Sequence, residues 1–152
     1  LGQIGQTDTG DQSDDGLDAI FLWFDQRDRK LTYAGAHMPL HVLRVSGETV
    51  TTHETDRIGV GYVATPTDYR WQNRSIMLQS QDLLFAATDG LTDQIGGSRH
   101  IAFGKRRLRE LIVGERNSPA SEQVTAIMQA HRDYQSWHRR RDDLSLFCLR
   151  VQ

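Results

Sequence analysis

Two short acidic segments hold the residue types most able to do chemistry. In Ala87-Thr88-Asp89-Gly90-Leu91-Thr92-Asp93 an apolar run, Leu83 to Ala87, ends in an acid and a glycine. In Arg141-Asp142-Asp143-Leu144-Ser145 two acids stand at the mouth of a second apolar run, Leu144 to Val151. A carboxylate at the end of a buried strand is held rigidly, and two of them could share a divalent cation. Oxygen donors suit hard ions such as magnesium or manganese, whereas zinc usually recruits His or Cys as well. The plainer reading stays open, because Asp-Gly is also a common turn after a strand.

The surrounding elements must position these acids. Leu1 to Asp14 mixes Gly, Gln, Thr, Asp and Ser without apolar periodicity and reads as a flexible loop or tail. Ala19 to Phe24 is apolar at every position, which predicts a central strand covered on both faces. A charged turn, Asp25 to Arg29, leads to strands at Leu31–Ala36, Leu40–Val45 and Thr49–His53. Asp56 to Thr67, with Gly59, Gly61 and Pro66, reads as a loop at the edge of the site, and Arg70–Leu78 as a further strand. Helical spacing appears only after the Asp-Gly motif. One helix carries Phe103, Leu108, Leu111 and Ile112 and closes near Gly114; another opens at Ser118-Pro119 and carries Val124, Ile127, Met128, His131 and Tyr134. Strands, then two helices, then a closing strand make an α+β domain.

Four motifs in this order, Ser13-Asp14-Asp15-Gly16-Leu17-Asp18, Leu31-Thr32-Tyr33-Ala34-Gly35-Ala36 with Pro39-Leu40, Thr88 to Gly97, and Arg141 to Ser145, resemble the SpoIIE-like bacterial branch of the metal-dependent serine/threonine phosphatases, the PPM or type 2C family. The resemblance runs from about Asp15 to Val151. It implies a sandwich of two mainly antiparallel β-sheets flanked by α-helices, with two divalent cations, manganese or magnesium, at one end. It also implies Asp89 and Asp142 as metal ligands, with a metal-bound water attacking a phosphoserine or phosphothreonine. Two metals suit that reaction because they activate water and clamp the phosphoryl oxygens. Asp143 is then expected to orient water or the ligands, and Gly90 to shape the ligand turn. Asp15, Asp18 and His37 are further candidates for the substrate or an additional metal, although a solvated turn is the better reading of Asp15 and Asp18.

The chain also departs from the family. Such domains carry an Asp-x-x-Gly-His-Gly motif whose aspartate bridges the two metals, and no such segment occurs here; Asp15-Gly16 is not followed by Gly-His. The resemblance therefore implies that residues 15–152 are the C-terminal part of a catalytic domain, the first part and its bridging ligand lying outside this chain. The alternative is a noncatalytic phosphatase-like module that binds a regulatory partner protein. His37 and His41 are four apart with Pro39 between them, so they do not form a zinc pair on one helical face. Ser145 has no evident base partner, which leaves a serine nucleophile unsupported.

The bulk properties narrow the partners. At 152 residues the chain fits one domain. Its net charge of −2 and pI near 6.3 give no electrostatic case for nucleic acid or an anionic membrane. There is no Gly-x-x-x-x-Gly-Lys loop. The clusters Lys105-Arg106-Arg107 and His138-Arg139-Arg140-Arg141 suit solvated helix faces or a site that receives a phosphoprotein. A single cysteine, Cys148, excludes an internal disulfide and suits a reducing cytoplasm. No apolar run is long enough to insert in a membrane. The resembled branch acts in bacterial signalling, often on anti-sigma-antagonist-like phosphoproteins, and its members are often fused to sensor or inner-membrane modules.

Overall fold

The computed structural model describes residues 14–152. The tail expected at 1–14 lies, apart from Asp14, outside the described residues. Among the described residues nine strands and three helices follow in the order β1 Ala19–Asp25, β2 Lys30–Ala36, β3 Leu40–Leu43, β4 Thr51–His53, β5 Arg74–Met77, β6 Leu83–Ala87, α1 Asp89–Thr92, β7 Ile95–Gly96, β8 Ile101–Ala102, α2 Gly104–Gly114, α3 Ala120–Gln135 and β9 Leu146–Arg150. The strands form two antiparallel sheets, β1-β2-β5 and β4-β3-β6-β9, plus the small β7–β8 hairpin. The sequence analysis reads no strand in the segment of that hairpin. The apolar pair Ile95 and Ile101-Ala102 is too short to signal a strand by alternation.

Alternation along β6 explains the layering. Leu84 faces a core shared with Leu31, Tyr33, Leu40, Val42, Leu78 and Val151, which lies between the two sheets. Leu83, Phe85 and Ala87 face a second core with Leu108 and Ile112 of α2 and Ile127 of α3. Successive side chains in a strand point to opposite faces, so an unbroken apolar run is what a strand between two cores requires. The helices therefore cover the outer face of the four-stranded sheet.

The first strand differs from expectation. Ile20, Leu22 and Phe24 pack into the core between the sheets. Phe21 and Trp23 point outward and are 75% and 74% exposed. β1 is an edge strand covered on one face among the described residues, rather than a central strand covered on both. Other boundaries contract by a few residues: Thr49–His53 pairs only over Thr51–His53, and Arg70–Leu78 only over Arg74–Met77. α3 begins at Ala120, with Pro119 at the N-cap position, just after the Ser118-Pro119 opening read from sequence.

Candidate metal centre

The geometry of the acidic end follows from the β6–β9 ladder. Its last pair sets Ala87 opposite Leu146, so one step further Thr88 faces Ser145. The Thr88 N–H donates to the Ser145 carbonyl at 3.0 Å, and the Ser145 N–H donates back to Thr88 Oγ1 at 2.9 Å. The Thr88 hydroxyl donates in turn to the Asp143 carbonyl at 3.1 Å. Thr88 thus clamps the segment carrying Asp142 and Asp143 to the segment carrying Asp89, a role its sequence context does not advertise.

Gly90 lets the two segments close. A Cβ at this position would overlap the Asp143 carbonyl and come within 3.3 Å of the Asp142 carbonyl oxygen, so any side chain would push the two motifs apart. Asp142 is held locally by the Asp143 N–H, which donates to its Oδ1 at 2.7 Å. Asp143 contributes its backbone carbonyl to this contact, while its side chain is exposed.

Asp89 and Asp142 line one cavity of about 410 Å³ together with Asp14, Asp18, His37, Arg57 and Tyr62. Of the candidates read from sequence, Asp18 and His37 are brought into this cleft and Asp15 is not. Asp14 takes that place, its carboxylate accepting from the Val63 N–H at 2.7 Å. The cleft wall is the Asp56–Thr67 loop. Leu17 and Val60 exchange two backbone hydrogen bonds of 2.8 and 2.9 Å, which ties the loop to the segment before β1. The buried Asp56 carboxylate anchors its other end, accepting from Arg74 at 2.6 Å, the Gln72 N–H at 3.0 Å and the Tyr69 hydroxyl at 3.1 Å.

Tyr62 is the residue sequence reasoning missed. Gly16 and Gly59 both approach its ring so closely that a Cβ on either would overlap it. Its hydroxyl donates to Asp18 Oδ1 at 3.5 Å, and His37 Nδ1 lies 3.2 Å from the same oxygen. The signal in sequence was the pair of glycines: Gly59 is near Tyr62 in the loop, but Gly16 meets the ring only once the loop folds back on the segment before β1.

The charge balance is strongly acidic, with four carboxylates lining the cleft against the one guanidinium of Arg57. Partial burial, then repulsion from Asp93, Asp18 and Asp142, raises the Asp89 carboxyl above its ordinary range, while the Gly90 N–H pulls it back. Burial and then the Asp18, Asp89 and Asp142 charges raise the Tyr62 phenol. Mutually repelling, mostly solvated carboxylates are what a hard divalent cation neutralises, so the donor set fits magnesium or manganese through Asp89 and Asp142. Among the described residues no group of three or more His, Cys, Asp or Glu is arranged to enclose a metal by itself.

Comparisons with known proteins agree with this architecture. The model of the stage II sporulation protein E (SpoIIE) family matches residues 5–152. Among curated protein sequences none matches. The chain is similar to the solved SiaA-PP2C domain of Pseudomonas aeruginosa, with 30% identity, a TM-score of 0.78, and coverage of 89% of this chain and 52% of that one. It is also similar to the manganese-presoaked phosphatase domain of the cell fate determinant SpoIIE from Bacillus subtilis, with 16% identity, a TM-score of 0.67, and coverage of 88% and 56%. A third likeness is to the RsbU and RsbW domains of a Mycobacterium tuberculosis protein, with 17% identity, a TM-score of 0.66, and coverage of 88% and 36%. The chain therefore spans about half the length of the first two solved relatives.

Proposed function

The chain belongs to the stage II sporulation protein E family, and from that premise we propose that it is the C-terminal part of a metal-dependent protein phosphatase domain. The substrate is a phosphoserine or phosphothreonine on a bacterial signalling protein, of the anti-sigma-antagonist-like kind. The observation that carries the reading is the cleft in which the acids of two motifs, 53 positions apart, lie on one wall under a shared clamp.

Asp89 and Asp142 would hold divalent cations, manganese or magnesium, with a further carboxylate from the remainder of the domain. When bound, such ions lower the pKa of water and screen the phosphoryl oxygens of a phosphate ester. The chain's own residues do the rest. Thr88 and Gly90 hold the two ligand segments together; Asp18 orients His37 and Tyr62 along the wall; Arg57 offers a guanidinium to a phosphate on the rim. Preorganised groups of this kind cost no rearrangement when charge develops.

The test compares phosphate release by the 152-residue chain with that by the longer parent protein, both with excess manganese. The parent should hydrolyse a phosphoserine protein and this chain should do so feebly or not at all, since it lacks the bridging acid. Asp89→Asn in the parent should remove most of the activity without unfolding it. Wild-type turnover in that variant would make Asp89 a turn residue, whereas no turnover by the unsubstituted parent would favour the noncatalytic, partner-binding alternative.

A further inference from the structure

Beside the acidic cleft lies a surface of opposite character. α3 stops at Gln135 because Ser136 adopts a left-handed backbone, φ 49°. The chain then folds back on the helix end: the His138 N–H donates to the Gln135 carbonyl at 3.0 Å, and the Gln135 side-chain amide donates to the His138 carbonyl at 3.0 Å. Buried Gln94, just before β7, donates to the Arg139 carbonyl at 2.9 Å. The loop after α3 is thereby pinned at successive residues.

On this pinned loop Trp137 stacks on His138, with ring centres 4.1 Å apart and planes 17° apart. His100 of the β7–β8 hairpin reaches His138 Nε2 through its Nδ1 at 2.8 Å and meets Trp137 edge-on at 5.8 Å. Trp137 is nevertheless 76% exposed. A large indole already held in one rotamer loses little entropy when a partner covers it, which is the property of an interface anchor.

Next to these rings in the chain are Arg99, beside His100, and Arg139, Arg140 and Arg141, which follow His138; all four are exposed. None pairs with a carboxylate among the described residues, whereas Arg44, Arg74 and Arg106 each do. The whole chain is net negative, so this positive ledge is local, and it ends where the cleft begins, since Arg141 immediately precedes Asp142. The Arg139 Cα can lie no more than about 11 Å from that of Asp142.

We infer that the ledge of Trp137 and Arg99, Arg139, Arg140 and Arg141 docks an acidic segment of the phosphoprotein substrate and presents the neighbouring phosphorylated residue to the cleft. This inference rests on the phosphatase reading above. Charge complementarity selects the occupant: the arginines attract a short acidic stretch and steer its approach. A nucleic acid fits less well, because a uniformly charged strand leaving the ledge would run over Asp14, Asp18, Asp89 and Asp142.

The experiment measures fluorescence anisotropy of a labelled phosphoserine peptide flanked by glutamates, of the same peptide flanked by glutamines, and of a single-stranded DNA oligonucleotide. Each is titrated with the 152-residue chain, with Trp137→Ala and with the double variant R139E/R140E. The glutamate peptide should bind about tenfold more tightly than the glutamine peptide at low salt, and each variant should erase about tenfold of affinity for it while melting like the unsubstituted 152-residue chain. Equal binding of the two peptides, unaltered binding by both variants, or tighter binding of the DNA would each overturn the docking surface. Hydrolysis of p-nitrophenyl phosphate by the longer parent reports on the phosphatase reading separately. Selective peptide binding in a protein without that hydrolysis would keep the surface and reject the catalytic reading.

Discussion

The two sheets meet across one core, yet they live in different surroundings. In the four-stranded sheet β6 is buried at all five positions, with Leu84 against the other sheet and Leu83, Phe85 and Ala87 against α2 and α3. In the three-stranded sheet β1 buries only Ile20, Leu22 and Phe24 in the shared core, while Phe21 and Trp23 face outward. The candidate ligands follow the covered sheet: Asp89 and Asp142 extend from β6 and precede β9, strands paired over their whole length. Asp18 and His37, at the β1 and β2 ends of the open sheet, instead reach the cleft with help from a loop and from each other. A rigid carboxylate needs a strand braced from both sides, and among the described residues the four-stranded sheet supplies it.

The largest expected contrast sets Phe85 against Trp23. Phe85→Ala removes a fully buried ring from the helix-side core and should cost about 3–5 kcal/mol in urea unfolding. Trp23→Ala should cost less than about 1 kcal/mol, because most of the indole is already in water. Equal losses would erase the distinction between the sheets.

A pH series sharpens it further. His41, directly opposite Phe85 in the β3–β6 ladder, is buried and bonded through Nδ1 to Thr52 Oγ1 at 3.0 Å. Burial, then the Arg109 and Lys105 charges, lowers its pKa to about 4. The folded value lies below the unfolded one, so this stabilisation is present above the ordinary histidine pKa and is lost as pH falls toward about 4. The loss amounts to roughly 3 kcal/mol at most. His41→Gln should lose less stability than the unsubstituted chain over that window when melting is followed against pH.

Gly90→Ala tests the end of the covered sheet. The new Cβ would overlap the Asp143 carbonyl, and forced contacts of this kind cost about 1–3 kcal/mol. In the longer parent it should also weaken manganese binding by calorimetry, since it parts Asp89 from Asp142. Unchanged binding would mean the closeness of the two motifs is unimportant.

The smallest stability effect belongs to Asp89→Asn, within about 0.5 kcal/mol for a largely solvated side chain. Its sign is informative. The folded-state pKa of Asp89 is raised, by burial first and then by Asp93, Asp18 and Asp142, so ionising it destabilises the fold as pH rises through that value. With chelator present, the variant should melt at or slightly above the temperature of the unsubstituted chain at neutral pH and should show a flatter pH profile. A clear drop would mean Asp89 makes a structural bond that the carboxylate alone supports.

Residues that interact through chain-local physics were legible in the linear sequence. The unbroken apolar run of β6, the helical stripe of Leu108, Leu111 and Ile112, and the acids terminating β6 and preceding β9 all follow from alternation, helical period and strand-end chemistry. The motif order added the family and the fold. Tertiary structure alone decided that Asp14 rather than Asp15 lines the cleft, that Thr88 clamps the second acidic motif, and that Tyr62 settles between Gly16 and Gly59. It alone left one face of β1 open and joined His100 to Trp137 and His138. Periodicity states which face of a strand or helix is apolar, because that is set by backbone geometry over a few residues. Which distant loop covers that face, or which side chain meets a given carboxylate, depends on contacts between segments tens of residues apart, and their register is chosen only when the whole core packs.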